Sequence, residues 1–440
     1  NIYNLNRNNA IYKLMIYILF TLIVIVNGYG WVPLVSVKNF PVTKPKEIEI
    51  MNKKLVLWEK NKNIIVQDNA CIHRGGPLSE GYIDPNTQNL RCSYHGWEFN
   101  TDGTVLDIPQ SIDNCKTCKF KQSTYELREK NHIMWLNLNN SICNDFPEHI
   151  TKYEDNVSDD VFVVEVPYSM NILLENLFDP AHVPFAHHKL QSTRDLASNV
   201  NATVLTMDEN SLEIYFEDKT LRNSEYRNGT MSFYEPNHYV LNSIYPDVFI
   251  KRLHVYCVPI TPFKTRIFVQ NEYKNEEMQK LSNKVPSWMK HLLTHTFFDS
   301  DTMLLYKQEQ MLRKKKKLND CMKTYITPTT SDNSIQYYHK WKKIFPKPWS
   351  KFIEDSANFT NDLSREEVFD RYNDHTKNCI SCSRTLNNIK VIQNTLPSLL
   401  LIHSIHNNNI IEIILAVFIY SFCNNFKTFF IYRDYKHIDV

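Results

Sequence analysis

Apolar and polar residues alternate along the chain from residue 31 onward. The segments VPLVSV, EIEIMNKKLVLWE and NIIVQD alternate in this way and are rich in β-branched residues, which predicts short strands. GWEFNTDGTVLDIP predicts a strand, a turn at Asp102-Gly103 and another strand, and TYELREKNHIMWLNL predicts two more. We therefore predict a small all-β domain over residues 31–142.

The second part of the chain combines strand-like and helical patterns. Residues 143 to about 160 are polar and predict a linker. One antiparallel sheet is predicted by VFVVEVPYSMN, TVLTMDENSLEIYFED, GTMSFYEPNHYVLNSIY, VFIKRLHVYCVPI and TRIFVQNEY. WMKHLLTHTFFDSDTMLLYKQEQMLRKKKK has a helical period, with apolar residues at Met303, Leu304, Met311 and Leu312. Its basic end, residues 313–317, predicts a solvated helix terminus.

Apolar runs lie near both ends of the chain. Lys13 precedes a run of thirteen residues, 14–26, which are apolar except for Thr21. This length is typical of a targeting segment and short for a membrane span. A buried or membrane-anchoring helix is the alternative. We expect residues 1–30 to form a hydrophobic targeting segment.

Two further apolar runs, 396–405 and 410–422, lie near the C-terminus. His403 interrupts the first run, and Glu412 lies in the second. A carboxylate at the centre of a bilayer costs roughly 2–3 kcal/mol, and less near its edge. We predict a membrane-anchoring tail over residues 376–440, arranged as a shallow hairpin.

Charge and cysteine content exclude some classes of protein. The formal net charge of +2 favours neither a nucleic acid nor an acidic partner, so we expect no nucleic-acid binding. Ten cysteines in 440 residues are not a disulfide scaffold. Among them are two C-x-x-C pairs, Cys115/Cys118 and Cys379/Cys382, and we interpret the first as structural or incidental.

Two cysteines and two histidines are concentrated in one stretch, as Cys71-x-His73, eighteen residues, and Cys92-x-x-His95. Two thiolates and two imidazoles are the ligand set of a Rieske [2Fe–2S] centre. Five of the eight glycines lie between 75 and 103, where ligand loops need backbone freedom. A Cys2His2 zinc site is the alternative, disfavoured because each half carries one Cys and one His.

A second group of metal-binding residue types follows in NILLENLFDPAHVPFAHHKL. Two histidines and a carboxylate on one face of an iron(II) ion leave positions open for O2. His182 and His187 would lie about 140° apart on an ideal helix, too wide to chelate. Pro184 lies between them and predicts a distorted helix. His188 would point away, and we do not assign it as a ligand.

The carboxylate of this second site has three candidates in the sequence. Asp179 is nearest, in the pattern D-x-x-H-x-x-x-x-H with His182 and His187. The alternative is Asp299 or Asp301, near the start of the long predicted helix.

These motifs, in this order, resemble those of the Rieske non-haem iron oxygenases. The segments PLSEG, ENLFDPAHVPFAHH and DRYNDHTKNCISCS are similar to the pheophorbide a oxygenase group, which includes chlorophyllide a oxygenase and the 55-kDa inner-envelope translocon protein. The resemblance covers roughly residues 31–420. It departs from the group in the eighteen-residue gap, about one residue longer than usual.

The resemblance implies an α+β fold, with an N-terminal all-β Rieske domain (31–142) and a helix-grip-like catalytic domain (143–375). It implies a [2Fe–2S] cluster on Cys71, His73, Cys92 and His95. It also implies mononuclear non-haem Fe(II) on His182, His187 and Asp301, with Asp299 as the fallback. Asp179 becomes an electron bridge to the Rieske histidine of a neighbouring subunit, and Asn176 lies near the iron.

The resemblance also implies a function. Reduced ferredoxin would supply electrons, and O2 would oxygenate a chlorophyll-derived tetrapyrrole, most of all pheophorbide a, by ring opening, or chlorophyllide a. A homotrimer at the plastid inner envelope or thylakoid membrane is expected. Cys379 and Cys382 would be a redox pair addressed by thioredoxin, or else ordinary thiols. A redox-sensing component of a plastid import complex is the alternative function, while a simple electron carrier leaves the second domain unexplained.

Overall fold

A computed structural model describes residues 30–38, 44–111, 119–139, 145–152, 156–219, 226–244, 250–315, 317–347, 349, 352 and 362–437. The apolar run 14–26 and the pair Cys115 and Cys118 lie outside these residues. The predictions made for them therefore stay predictions.

The first domain consists of three small antiparallel sheets, ordered β1-β10-β9, β2-β3-β4 and β5-β6-β7-β8. Their strands are β1 Trp31–Ser36, β2 Lys46–Ile50, β3 Lys53–Lys60, β4 Asn63–Asp68, β5 Tyr82–Ile83, β6 Leu90–Arg91, β7 Glu98–Phe99, β8 Val105–Asp107, β9 Glu126–Lys130 and β10 Ile133–Asn137. The run EIEIMNKKLVLWE forms two strands, because Met51 and Asn52 adopt positive φ values of 52° and 60° in a two-residue turn.

The second domain is built on one antiparallel sheet of order β11-β17-β16-β15-β14-β13-β12. Its strands are β11 Phe162–Val166, β12 Asn201–Met207, β13 Ser211–Lys219, β14 Tyr226–Tyr234, β15 His238–Ile244, β16 Ile250–Thr261 and β17 Lys264–Tyr273. The sheet has the antiparallel pairing that the alternation predicts. The predicted strand VFVVEVPYSMN ends at Val166, since Ser169 caps a helix that begins at Met170.

Helices cover the sheet and form the C-terminal part of the described chain. They are α1 Glu148–Thr151, α2 Met170–Leu177, α3 Val183–Ala186, α4 Glu276–Asn283, α5 Ser287–Lys314, α6 Asn333–Ile344, α7 Arg365–Val368, α8 Arg371–Asp374, α9 Ile380–Asn407 and α10 Ile410–Ile431. Short 3-10 turns span Leu78–Glu80, Pro180–His182, Arg194–Leu196, Leu318–Lys323, Thr330–Asp332 and Thr376–Asn378.

The two domains share one hydrophobic core. Trp135 of β10 packs edge-on against Tyr256 of β16, with ring centroids 5.1 Å apart. The turn between β2 and β3 also donates to the large sheet, from Met51 N to Pro259 O at 2.9 Å. Both rings are almost fully buried, so their contact contributes to holding the domains together.

The predicted linker is instead packed into this core. Residues 148–151 form α1, and Ile150 is only 1% exposed. Ser158 donates its backbone N–H to Asn271 O at 2.8 Å. The polar composition of this segment predicted a linker, but its few apolar residues are buried in the core.

The prediction of a fully solvated basic helix end is also wrong in part. Lys314, Lys315 and Lys317 are exposed, but Arg313 is buried. Its guanidinium pairs with Glu309 at 3.2 Å and lies over the Phe263 ring. Arg313 therefore stabilises the packing of α5 on the sheet.

Helices α9 and α10 form a hairpin with a turn at Asn408, which has a positive φ of 49°. Within the described part of the chain, α10 is the one helix that by length and composition could cross a membrane. Glu412 lies at the hairpin tip, where its carboxylate pairs with His403 at 2.8 Å. A charge in this position avoids the cost of the bilayer centre.

Candidate metal centres

Two loops with the same backbone hydrogen bonds present the first ligand set. Cys71 N donates to Gly76 O at 2.9 Å, and Gly75 N donates to Cys71 O at 2.8 Å. The second loop repeats this pattern, because Cys92 N donates to Trp97 O at 3.0 Å and Gly96 N to Cys92 O at 2.8 Å. The loops turn at Gly75 and Gly96, where φ is +72° and +75°.

The four predicted side chains converge between these loops. Cys71 and Cys92 are buried in a small core of their own, formed by Val56, Trp58, Leu78, Leu90, Phe99 and Val105. The imidazole of His73 lies 4.5 Å from that of His95 and stacks on Trp97 at the same distance.

The chemistry of this set fits a metal cluster. Burial raises the pKa of Cys71 to about 11, so a cation is needed to hold its thiolate. His73 Nδ1 is buried and has no hydrogen-bond partner among the described residues. A buried lone pair without a donor is costly unless a metal accepts it.

The second set is placed by a chain that breaks between its two histidines. The Asp179 side chain accepts from Ala181 N at 2.9 Å and caps the 3-10 turn that ends at His182. Helix α3 then begins afresh, with Pro184 in its first turn, where no backbone donor is lost. Because the helix is broken here, the Nε2 atoms of His182 and His187 lie 3.3 Å from each other. The distortion expected from Pro184 is therefore present.

Asp301 completes the group from helix α5. Its Oδ2 lies 3.4 Å from His187 Nε2 and 3.9 Å from His182 Nε2. Two donor atoms that each lie about 2.1 Å from one ion are about 3.0 Å apart at a right angle and about 4.2 Å apart when opposite. All three separations fall in this range, so the three side chains fit one metal ion.

The structure places the other two carboxylate candidates differently. Nε and Nη2 of the buried Arg371 guanidinium both donate to Asp299 Oδ2, which forms an ion pair. Positions two apart on a helix point about 200° apart, which is why Asp299 and Asp301 face opposite ways. Asp179 Oδ2 is 3.9 Å from His182 Nδ1, beyond hydrogen-bond distance.

The electrostatics of this group of side chains favour a cation. Burial lowers the pKa of His182 to about 4 and of His187 to about 3, so both imidazoles are neutral near pH 7. Burial also raises the pKa of Asp301 to about 8, despite a hydrogen bond from Asn176. A divalent cation would offset the cost of ionising this carboxyl.

Ser300 orients His187, and sequence reasoning missed it. Its hydroxyl donates to Phe297 O at 2.7 Å, so its oxygen must accept the proton on His187 Nδ1, also at 2.7 Å. His187 Nε2 therefore carries the lone pair that faces Asp301. The only sequence signal was its position beside Asp301.

The remaining predicted residues lie around this group. The Asn176 amide is 3.5 Å from His182 Nε2. About a third of the Asp179 side chain is exposed. His188 is turned to the surface, where its Nδ1 accepts from Arg194 N at 3.1 Å, in keeping with its exclusion as a ligand.

Two known families match parts of the chain. Residues 30–121 match the family "Rieske [2Fe-2S] domain", and all four residues of the first set lie in this range. Residues 236–319 match "Pheophorbide a oxygenase", and this range contains Asp301.

Individual relatives cover most of the chain. It is 28% identical over 411 residues to flavonoid 8-hydroxylase 2 of Ocimum basilicum, across 85% of this chain and 76% of that protein. It is 27% identical over 401 residues to pheophorbide a oxygenase of Oryza sativa subsp. japonica, across 82% and 74%. Both relatives are described as chloroplastic.

A solved oxygenase has the same fold. The oxygenase of carbazole 1,9a-dioxygenase, in complex with its ferredoxin, matches with a TM-score of 0.56 at 16% identity, over 77% of this chain and 95% of its own. The predicted fold class, a β domain followed by an antiparallel sheet with helices, is confirmed.

Proposed function

We propose that this chain is a Rieske non-haem iron oxygenase that oxygenates a chlorophyll-derived tetrapyrrole. The expected reaction is ring opening of pheophorbide a or oxidation of chlorophyllide a, with O2 and electrons from reduced ferredoxin. The observation that carries the oxygenase assignment is the convergence of His182, His187 and Asp301 within one metal-binding distance. The match to the pheophorbide a oxygenase family supports the choice of a tetrapyrrole.

Two groups of side chains would hold the cofactors. Cys71, His73, Cys92 and His95 fit a [2Fe–2S] cluster, and His182, His187 and Asp301 fit mononuclear Fe(II). When bound, the cluster supplies one-electron transfer and the iron supplies activation of O2. A site with three protein ligands leaves room for a reactant, whereas a sensor of redox state does not need that opening.

The surrounding residues prepare this site. Ser300 holds His187 in the tautomer with its lone pair on Nε2. Asn176 donates to Asp301 and keeps the carboxylate near both imidazoles. The rigid helix α5 fixes Asp301 relative to the sheet.

Electrons would enter at the exposed tip of the first domain. Ile72 and Tyr94, next to His73 and His95 in sequence, are 41% and 61% exposed. Apolar residues exposed beside a redox centre suit a transient protein partner, and we assign this tip to ferredoxin or to a neighbouring subunit. The partial exposure of Asp179 leaves it reachable by such a neighbour in the proposed homotrimer.

Helix α10 supports membrane association. Residues such as Ile414, Val417 and Phe418 are more than 60% exposed on it. A helix with this apolar surface is stabilised by a bilayer. The chloroplastic description of the relatives supports a plastid membrane, either inner envelope or thylakoid, as its place.

Product analysis under ¹⁸O2 tests the proposed reaction. The purified protein and reduced ferredoxin would be incubated with one candidate substrate at a time: pheophorbide a, chlorophyllide a or a flavone. The products would then be analysed by mass spectrometry. We expect ¹⁸O in a tetrapyrrole product, and no product from the His187→Ala variant.

Other results would overturn the assignment. Incorporation of ¹⁸O into the flavone alone would show that the substrate is a flavonoid, as the name of the flavonoid 8-hydroxylase relative indicates for that protein. Reduction and reoxidation of the cluster without any labelled product would favour the redox-sensing role in an import complex.

A further inference from the structure

A third group of metal-binding side chains lies where the C-terminal hairpin meets the catalytic domain. It consists of His291 on α5, His375 after α8, and Cys379 and Cys382 at the start of α9. All four residues are at most 3% exposed. Two thiols and two imidazoles buried this completely need partners that satisfy their polar atoms.

Three separations among the four inward-facing atoms match those of a tetrahedral site, and all four atoms lie within 4.8 Å of one another. Cys379 Sγ and Cys382 Sγ are 3.4 and 3.5 Å from His291 Nδ1, and Cys382 Sγ is 3.3 Å from His375 Nε2. A sulfur about 2.3 Å and a nitrogen about 2.0 Å from one zinc ion, at a tetrahedral angle, are about 3.5 Å apart. The observed distances agree with this value.

The outward-facing nitrogens are held by other groups. His291 Nε2 lies 3.2 Å from Asp160 Oδ1, and His375 Nδ1 lies 2.6 Å from Val163 O. Each imidazole therefore has a fixed orientation and turns its other nitrogen toward the sulfurs. A carboxylate or carbonyl behind a histidine is the usual support of a zinc ligand.

We propose that His291, His375, Cys379 and Cys382 bind a structural zinc ion that fastens the C-terminal hairpin to the catalytic domain. The ligand set is tetrahedral and is filled by protein atoms, as in structural zinc sites.

The other such group in the described residues is weaker. Glu175, Cys321 and His339 also lie together, but they offer three ligands with a single sulfur. Glu175 already accepts from Tyr325 at 2.9 Å and pairs with His339 at 3.1 Å. It needs no metal to satisfy its polar atoms, and Cys321 therefore serves as the control thiol.

Metal analysis of the full chain, purified without chelators, tests the site. We expect one zinc ion per chain in addition to the cluster and mononuclear iron. X-ray absorption at the zinc edge should give two sulfurs at about 2.3 Å and two nitrogens at about 2.0 Å. Zinc in a shell of nitrogen and oxygen alone, or a zinc-free protein with a Cys379–Cys382 disulfide, would overturn the proposal.

Variants locate the zinc within the chain. Cys379→Ala/Cys382→Ala should lose the zinc and keep the iron, whereas Cys321→Ala and His182→Ala/His187→Ala should keep the zinc. Loss of zinc from either control instead would refute the assignment. If the double variant does not fold, the zinc content and the zinc-edge X-ray absorption spectrum of the unmodified protein still show whether zinc is bound by two sulfurs and two nitrogens. A zinc-free protein with a Cys379–Cys382 disulfide would instead support the prediction that these two cysteines are a redox pair addressed by thioredoxin.

Discussion

His187 and Ser300 share a hydrogen bond of 2.7 Å between Nδ1 and Oγ, over 113 residues of sequence. The bond fixes which imidazole nitrogen faces Asp301. Ser300 is thus a positioning residue for the proposed iron site.

Replacing Ser300 by alanine tests this role. We expect Ser300→Ala to weaken mononuclear iron binding about 10- to 100-fold, the range for loss of a histidine's supporting hydrogen bond. Ser300→Thr, which keeps the hydroxyl, should retain most of the affinity. Iron titration measures the change, and an unaltered cluster spectrum checks the fold. Equal affinity in the alanine variant would contradict the role.

Two aspartates of one helix should respond in opposite ways. Asp301→Asn should abolish mononuclear iron binding with little loss of stability, because it removes a buried carboxyl with a raised pKa. Asp299→Asn should keep the iron but destabilise the fold by about 3–5 kcal/mol, since it leaves the Arg371 guanidinium buried and unpaired. Iron content and thermal unfolding distinguish the two variants. The reverse pattern would make Asp299 the ligand.

The two cluster loops allow a matched glycine test. A Cβ at Gly75 meets nothing within 4 Å, so Gly75→Ala should cost only the left-handed backbone, about 1–2 kcal/mol. A Cβ at Gly96 would lie 3.0 Å from Pro109 Cγ, so Gly96→Ala should cost more. Thermal unfolding followed by cluster absorbance gives the difference. A larger loss at Gly75 would argue against this loop geometry.

Asp179 is expected to act in electron transfer and not in metal binding. Asp179→Asn should keep both metal contents, while reoxidation of the reduced cluster by O2 and substrate slows by a factor of ten or more. Stopped-flow absorbance of the cluster measures the rate. Loss of iron, or an unchanged rate, would remove the residue from this role.

The hairpin should bind membranes through its exposed apolar side chains. Ile414→Glu/Phe418→Glu places carboxylates on that surface, and we expect loss of flotation with phosphatidylcholine vesicles. The matched control is Ile326→Glu, at a 90% exposed position outside the hairpin, which should float as the unmodified chain does. Flotation of the double variant would place the membrane contact elsewhere.

Local patterns predicted much of this molecule. Alternation identified the strands, and the spacing of Cys71, His73, Cys92 and His95 identified the cluster loops, because each loop is contiguous in sequence. Choosing between Asp299 and Asp301 as the metal ligand required knowing which side chain each one contacts. Asp299 contacts Arg371, which lies 72 residues away in sequence, so local patterns could not reveal this pair. Likewise, His291 meets Cys379 across 88 residues, a contact that only tertiary folding creates.

Helix α5 carries both His291 and Asp301, ten residues and about 15 Å apart along its axis. One continuous helix therefore carries a ligand of the proposed zinc site and a ligand of the proposed iron site. A displacement of this helix at its hairpin end would move both ligands together.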